Sequence, residues 1–275
     1  TMPYTTADLD KPESAVMRTI KTAAAAAGAP LDEPVAMAPS IVAVTSALRC
    51  PTLHRLHLDV PLRAVVAVGH KNWVPDGWPG RTWRDLLAAL HGHTWGEDVL
   101  SYFESEFGKE TLPVVDANLP LRLEATGGLF VVENGMHRAT AAIAWLAATQ
   151  GKDAVLRKVR SSVYEARPKL RRRVLEAIGR GHDVAISNRQ RWNGYLLRIV
   201  RAGGDAEFFR LLGDAVLPLP DPRSRLMARF RPWDGGEVCR GVHWVSVTPR
   251  LAAALEDDSW LRAQMAEPRY EPVPR

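Results

Sequence analysis

The sequence is poor in cysteine and lacks any long apolar run. Only two cysteines, Cys50 and Cys239, occur among the 275 residues. They are too few for a disulfide framework and are typical of a protein from a reducing compartment. No window approaches the run of about 18 apolar residues that a membrane helix needs, and the N-terminus lacks the pattern of a secretory signal. These absences predict a cytoplasmic protein without a membrane partner.

Several well-known catalytic signatures are also missing. The chain contains no Walker loop, no Rossmann fingerprint, no nucleophile elbow and no motif set of the large protein-kinase type. The histidines near Cys50, at 54 and 57, do not have the spacing of a common closed zinc site. None of these common signatures therefore identifies the function of the chain.

Charge is distributed unevenly along the chain. Residues 1–150 carry 12 basic and 16 acidic side chains, whereas residues 151–275 carry 24 and 15, which gives net charges of −4 and +9. A basic half suits phosphates or nucleic acid, and the run from 157 to 173 is its densest part. Arginine outnumbers lysine 29 to 7, so a compositional bias of the genome or a solvated helix face explains the charge as well.

The apolar content of 46% is ample for a buried core, and the order of elements predicts an α+β fold. Periodicity and turn residues predict helices over 14–27, 82–90 and 97–107, strands over 53–60 and 111–117, and a hairpin of 121–125 with 129–133. A helix after residue 135, a strand over 155–163 and a helix over 168–179 follow. Beyond residue 183 the pattern predicts helices around 192–201 and 206–212, a strand near 241–247 and a helix over 249–255.

One stretch, VVENGMHRATAAIAWLAA, joins an apolar strand, an Asn-Gly turn and an alanine-rich helix, and it places two basic side chains where the helix begins. The helix dipole disfavours each such charge by about 0.3 to 1 kcal/mol. A phosphate on the first N–H groups would reverse that sign, because Arg138 could bind it through two N–H groups and Gly135 permits close approach. An ordinary turn, in which Glu133 pairs with Arg138 and His137 bonds a carbonyl, explains the residues equally well. Both interpretations stay open on the residues alone.

Upstream of this turn the chain contains the ordered set YFESEFGKETLPVVDANLPLRLEATGGLFVVENGMHRATAA. It comprises a helix, a glycine, a Pro-hydrophobic strand, a hairpin and the motif G-x-[HR]-R-x-x-A at the start of a helix. In this order the set resembles the ParB/sulfiredoxin superfamily, over about a hundred residues from near Leu53 to near Ala166.

The resemblance implies a domain organisation. A small mixed sheet with flanking helices would form a nucleotide-binding domain over 41–166. An N-terminal helix and proline-rich arm over 1–40 would precede it, and a basic C-terminal α/β region of mixed, largely helical structure over 167–275 would follow.

The resemblance also implies that the turn binds nucleotide phosphates. ParB proteins bind and hydrolyse CTP, sulfiredoxins use ATP to repair an oxidised cysteine, free-serine kinases of the same fold transfer a phosphoryl group, and a related DGQHR group accompanies DNA modification. Gly135, His137 and Arg138 match the phosphate-binding motif. Met136 stands where a sulfiredoxin has cysteine, and no clear helix-turn-helix follows Ala166 as it does in segregation ParB proteins. The H-R form is similar to that of the kinases and ATPases, which implies ATP-dependent transfer or hydrolysis.

Such chemistry needs Mg²⁺ and a carboxylate that orients the metal or accepts the proton of the nucleophile. Acidic side chains at strand ends and on the helix before Gly108 are the candidates, and Lys71 and Thr140 could add contacts to a phosphate. The predicted catalytic residues are His137, Arg138, Asp59 and Glu104, and the predicted metal ligands are Asp59 and Glu133. The predicted contacts to the nucleotide are Asn134, Gly135, Met136, His137, Arg138, Thr140 and Lys71.

Two functional hypotheses follow, and a third possibility is a degenerate domain that binds a partner and no nucleotide. In the first, the protein is a phosphotransferase or nucleotide hydrolase that uses ATP or another nucleotide with Mg²⁺ and an unknown acceptor. In the second, it is a nucleotide-gated DNA-binding protein or a ParB-like nuclease, and its basic C-terminal half contacts nucleic acid. Binding to nucleic acid should weaken steeply as salt rises, which separates the two hypotheses.

Overall fold

The structure, a computed structural model, describes residues 11–69, 82–109, 111–114, 119–190, 193–220 and 234–273. The helices before residue 151 are α1 (Ala15–Ala24), α2 (Ser40–Leu48), α3 (Trp83–Ala88), α4 (Asp98–Phe103) and α5 (Met136–Gln150). The strands there are β1 (Ala36–Met37), β2 (Arg49–Pro61), β3 (Val65–Val68), β4 (Arg122–Thr126) and β5 (Leu129–Asn134). After them come β6 (Val155–Ala166), α6 (Pro168–Gly179), β7 (Asp183–Ser187), β8 (Tyr195–Val200), β9 (Ala206–Leu212), β10 (Ala215–Leu219), α7 (Gly236–Cys239), β11 (Trp244–Ser246), α8 (Pro249–Glu256) and α9 (Ser259–Ala266).

The first sheet has the strand order β1-β3-β5-β4-β6-β2 and mixes parallel with antiparallel pairs. Strand β3 runs parallel to β1 and β5, β4 runs parallel to β6, and the pairs β4/β5 and β6/β2 are antiparallel. The hairpin β4/β5 turns through Gly127 and Gly128, and Gly127 has a positive φ of 56°. The predicted hairpin is therefore confirmed, with each strand displaced by about one residue at its ends.

One face of the first sheet is covered by α1, α3, α4 and α5, which together form the larger buried cluster. Helix α5 contributes mainly alanines, Ala139, Ala141, Ala142 and Ala144, and none of them has more than a trace of exposed surface. Small side chains let the helix backbone pack closely against the sheet.

The opposite face of the first sheet is divided. Its β3 and β5 half joins α2, α6, α8 and the second sheet in a second buried cluster that includes Val66, Val131, Leu170 and Ile186. This cluster takes residues from both sides of residue 166, so the chain packs continuously across the predicted boundary. The other half of the face, on β4, β6 and β2, carries polar and charged side chains.

The second sheet is antiparallel throughout, with the order β10-β9-β8-β7-β11. The helices predicted around 192–201 and 206–212 are wrong, since these segments are β8 and β9. Short apolar runs of this length do not distinguish a buried strand from a helix by periodicity. The two segments pair as antiparallel strands, β8 with β9. The turn that joins them lies near Gly204, whose N–H donates to the Arg201 carbonyl at 2.8 Å.

Other differences are local. The helix predicted over 97–107 ends at Phe103. Helix α2 lies where the sequence predicted the end of a proline-rich arm and the start of a new domain. Residues 111–114, the described part of a predicted strand, form no strand. The α+β class is confirmed, whereas the specific ParB/sulfiredoxin-like fold and the division into three domains stay predictions. Across the described ranges, none of the helices combines the length and apolar character needed to cross a bilayer.

Candidate functional site

The turn between β5 and α5 is built around Gly135. Its backbone lies in the left-handed region, with φ 84° and ψ 39°, and a β-carbon added there would lie 3.2 Å from Cδ1 of Leu121. The preceding Asn134 donates its side-chain N–H to the Pro120 carbonyl at 2.8 Å. Glycine is therefore required here both by the backbone conformation and by the close approach of the segment that precedes β4.

The first turn of helix α5 contains no group that balances the helix dipole. Gly135 provides no side-chain cap, and the first turn contains no acidic residue. The first N–H groups of a helix have no intrahelical acceptor, and the positive end of the dipole points out of that end. Met136 packs partly against the larger buried cluster, and His137 is half-buried. The start of α5 has the electrostatic character of an anion site.

Arg138 is the most informative side chain at this turn. Only 5% of its surface is exposed, Nη2 donates to the Leu119 carbonyl at 3.0 Å and Nη1 donates to the Tyr102 hydroxyl at 3.4 Å. Its Nε is buried, has no hydrogen-bond partner among the described residues and lies 3.9 Å from the position of a β-carbon on Gly135. Within the described residues no carboxylate forms an ion pair with this guanidinium. A buried positive charge is therefore left partly unsatisfied beside the turn, which is costly unless an anion approaches it.

Thr140, also predicted to contact the nucleotide, lies deeper. It is fully buried, and its hydroxyl has no hydrogen-bond partner among the described residues. Two residues further along α5 than Arg138, it faces the protein interior. Its contact to a phosphate stays a prediction.

Glu133 is the carboxylate next to the turn. It is exposed, and its Oε2 lies 3.8 Å from Nε of Arg122. The pairing of Glu133 with Arg138, one of the two interpretations open from the sequence, is therefore replaced by a pairing with Arg122. Burial, opposed by the charge of Arg49 and reinforced by that of Glu133, raises the pKa of the neighbouring Glu124.

Asp59 does not lie at the turn. It is on β2, which is separated from β5 by β4 and β6, a distance of about 14 Å at ordinary strand spacing. Its carboxylate accepts hydrogen bonds from Lys158 N–H at 3.0 Å, from Arg269 at 2.7 Å and from the Tyr270 hydroxyl at 2.7 Å. The structure thus makes Asp59 an anchor for the C-terminal segment and does not bring it together with Glu133.

Glu104 also belongs to a different neighbourhood. It caps the end of α4 and accepts a hydrogen bond from Nε1 of Trp145 at 2.9 Å. Trp145 lies seven residues after Arg138, about 10 Å along the helix axis. Of the three predicted carboxylates, only Glu133 is therefore adjacent to the turn.

The remaining predicted residue, Lys71, lies outside the described residues. The last described residue before it, Gly69, donates its N–H to the Val132 carbonyl at 2.9 Å, so the chain leaves β3 beside the end of β5. In the described ranges no group of three or more histidine, cysteine or acidic side chains is arranged to hold a metal. A metal at this turn would therefore depend on ligand phosphates for most of its coordination.

Tyr102 and Leu119, the partners of Arg138, were not predicted from the sequence. Tyr102 belongs to the apolar side of α4 with Phe103, and its ring lies 5.0 Å from that of Phe107. A tyrosine on an apolar helix face needs a partner for its hydroxyl, and this is a sequence signal that could have indicated a buried polar contact. The Leu119 carbonyl left no sequence signal, because backbone contacts do not depend on the side chain.

Comparisons with known proteins identify no family for this chain. No family model, no curated protein and no solved structure matches this chain.

Proposed function

We propose that the Gly135–Thr140 turn-helix binds the phosphates of a nucleotide, and that the protein is a nucleotide-dependent phosphotransferase or nucleotide hydrolase that uses ATP with Mg²⁺. The observation that carries the proposal is the buried guanidinium of Arg138, which has no carboxylate partner among the described residues and an unsatisfied Nε beside Gly135. An anion at this point would satisfy the guanidinium, the free N–H groups and the helix dipole together.

The geometry favours a phosphate over a carboxylate ligand. Two kinds of donor lie at the turn, the backbone N–H groups of α5 and the guanidinium of Arg138, and the half-buried His137 is next to Arg138 in the chain. A tetrahedral dianion can accept from donors in several directions, whereas a planar carboxylate accepts mainly in its own plane. The resemblance of the G-M-H-R-A-T-A segment to the phosphate-binding motif of the ParB/sulfiredoxin superfamily supports the same choice.

In this proposal each residue at the turn has its own role. Arg138 and the N–H groups of α5 bind and orient the phosphates and stabilise the charge that develops during transfer. His137 donates a hydrogen bond to a terminal phosphate oxygen. Glu133 is exposed beside the turn and suits Mg²⁺, which is commonly held by one or two carboxylates and otherwise by phosphates and water. When bound, the metal neutralises charge on the phosphates.

A thermal-shift screen of ATP, ADP, CTP and GTP with Mg²⁺ tests the proposal. A nucleotide present at about a hundred times its Kd should stabilise the protein by roughly 2.7 kcal/mol. Arg138→Met should lose this shift. Arg172→Gln is the matched control, because Arg172 lies on α6 with its side chain 75% exposed and pairs, among the described residues, with Glu176 alone. No shift with any nucleotide, or an equal shift in Arg138→Met, would refute the proposal.

A further inference from the structure

The polar half of the first sheet carries cations in direct register. Arg122 on β4 is the partner of Arg160 on β6, and Arg160 is the partner of His57 on β2. Partners on neighbouring strands point to the same face, about 4.8 Å apart. We call this surface the cationic face. Its members are Arg122, Glu124, Arg160, Ser162, Tyr164, Arg55 and His57.

Like charges directly opposite one another destabilise a sheet. The facing pair of Arg122 and Arg160 is therefore electrostatically unfavourable. The basic start of α5, a helix that packs on the other side of the sheet, is unfavourable as well. Such departures are expected where a ligand supplies the missing opposite charge. An anion laid across β4 and β6 would turn the repulsion into attraction.

The two carboxylates on this side do not cancel the charge. Glu124 lies 3.5 Å from Arg49, and Glu133 lies 3.8 Å from Arg122. Each is therefore matched by its own arginine. Burial and the charge of Glu133 raise the pKa of Glu124, and the charge of Arg49 opposes them.

Arg55 and Arg160 are left over. Within the described ranges neither side chain has a carboxylate within ion-pair distance or a hydrogen-bond acceptor. Arg55 is exposed and Arg160 is half-buried. The register partner of Arg55 on β6 is Ser162. These two guanidinium groups are free to bind phosphates.

An aromatic side chain lies beside the cations. Tyr164 follows Arg160 and Ser162 on the same face of β6, and the guanidinium of Arg49 lies 4.8 Å from the centre of its ring. A cationic surface beside an aromatic side chain suits a single strand, because cations hold phosphates while bases stack on planar side chains. A duplex keeps its bases paired and would use the cations alone.

We propose that the cationic face binds the backbone of single-stranded nucleic acid, with Arg55 and Arg160 as its principal phosphate contacts. Arg122 lies next to the Gly135 turn through its pair with Glu133. The two principal contacts are further away, since β6 with Arg160 and β2 with Arg55 are separated from β5 by β4. Binding at the cationic face therefore does not depend on the proposed nucleotide site.

Fluorescence anisotropy with oligothymidylates of about 4 and about 16 nucleotides, the range of common site sizes, tests this inference. We expect binding that weakens steeply between about 50 and 200 mM salt. The double variant Arg55→Gln/Arg160→Gln should bind about tenfold or more weakly at low salt, since two charge-assisted contacts are lost. The slope of log K against log salt should fall in magnitude by about 1.4, or about 0.7 for each lost contact.

The matched control is Arg172→Gln/Arg240→Gln, which removes the same charge from side chains that are 75% and 77% exposed elsewhere. An equal loss in this control would show mere attraction to the net charge and would overturn the inference. So would the absence of binding at low salt, equal binding of a duplex of the same length, or displacement of the oligonucleotide by inorganic pyrophosphate at equal phosphate concentration.

Two further measurements keep the test independent of folding and of the nucleotide site. Photo-crosslinking of the oligonucleotide to the wild-type protein should label the β6 peptide that contains Tyr164, and labelling confined to other peptides would contradict the inference. The double variant should also retain the thermal shift caused by Mg-nucleotide. If that shift is lost with oligonucleotide binding, the cationic face belongs to the nucleotide site and the inference fails.

Discussion

The guanidinium of Arg138 lies beside the phenol of Tyr102, with Cζ 5.8 Å from the ring centre and Nη1 3.4 Å from the hydroxyl oxygen. A tyrosine and a backbone carbonyl thus hold a positive charge that is only 5% exposed at the start of a helix. Neither partner carries the negative charge that would balance the guanidinium, and this imbalance is the physical basis of the proposed phosphate site.

Removing the charge should cost little stability. Arg138→Met loses hydrogen bonds worth about 1 kcal/mol each but also removes a buried charge from the unfavourable end of a helix dipole. We expect the free energy of unfolding, measured with urea in the absence of nucleotide, to change by no more than about 1 kcal/mol. A loss of 3 kcal/mol or more would show that Arg138 has a mainly structural role.

The glycine of the turn should be intolerant of a side chain. Gly135→Ala places a β-carbon at positive φ and 3.2 Å from Leu121, and we expect a loss of about 1 to 2 kcal/mol in the free energy of unfolding. Gly181→Ala is the control, since Gly181 has φ 74° with open space around the added carbon. The loss at Gly135 should be the larger of the two. If the control loses as much or more, the contact with Leu121 has no energetic weight.

The carboxylates predicted from the sequence should differ in their effect on turnover. Glu133→Gln should lower Mg²⁺-dependent nucleotide turnover by about 10- to 100-fold, as the loss of a group supporting a metal does. Glu104→Gln should leave the turnover within twofold of wild type, because Glu104 is bound to Trp145 at a distance from the turn. Steady-state rates at saturating nucleotide decide between them, and the reverse ranking would place the metal near α4.

The C-terminal segment should loosen at alkaline pH. Burial, the hydrogen bond to Asp59 and the negative charge of that carboxylate raise the pKa of Tyr270 to about 12 from its ordinary 10.0. Since the pKa is raised by folding, the stabilisation is fully present below pH 10 and is lost as the pH rises toward about 12.

The difference in tyrosinate absorbance between wild type and Tyr270→Phe reports this ionisation, with circular dichroism to confirm that the fold persists. Asp59→Asn should move the midpoint down toward 10, because it removes the negative charge that opposes ionisation. A midpoint near 10 in the wild-type protein would contradict the contact between Tyr270 and Asp59.

The N-terminal half of the fold was more predictable from the sequence than the C-terminal half. The turn glycines and alternating residues of the hairpin predicted β4 and β5, and the Thr82 cap predicted the start of α3, where Thr82 accepts from Asp85 N–H at 3.2 Å. The segments of β8 and β9 contain short apolar runs without a decisive period, so only their pairing in the second sheet could identify them as strands.

The site was predictable in its centre but not in its surroundings. Strand, glycine turn and basic helix start are adjacent in sequence, so Gly135 and Arg138 could be selected together. Asp59 stood at the end of a predicted strand, but its partners Arg269 and Tyr270 come from the far end of the chain. Contacts between residues so distant in sequence leave no local pattern.

The cationic face illustrates the same limit. The density of basic residues after 157 was visible, but one strand supplies Arg160 and different strands supply Arg122 and Arg55. Only the register of β4, β6 and β2 shows that these side chains share one surface.

The most direct test of the phosphate site is calorimetric titration of Mg-ATP into the wild-type protein and into Arg138→Met. We predict saturable binding to one site in the wild type and no detectable binding in the variant, whose free energy of unfolding should differ from that of the wild type by no more than about 1 kcal/mol. The absence of saturable binding of ATP, CTP and GTP to the wild type, or an equal Kd in the variant, would contradict the proposed phosphate site at Arg138.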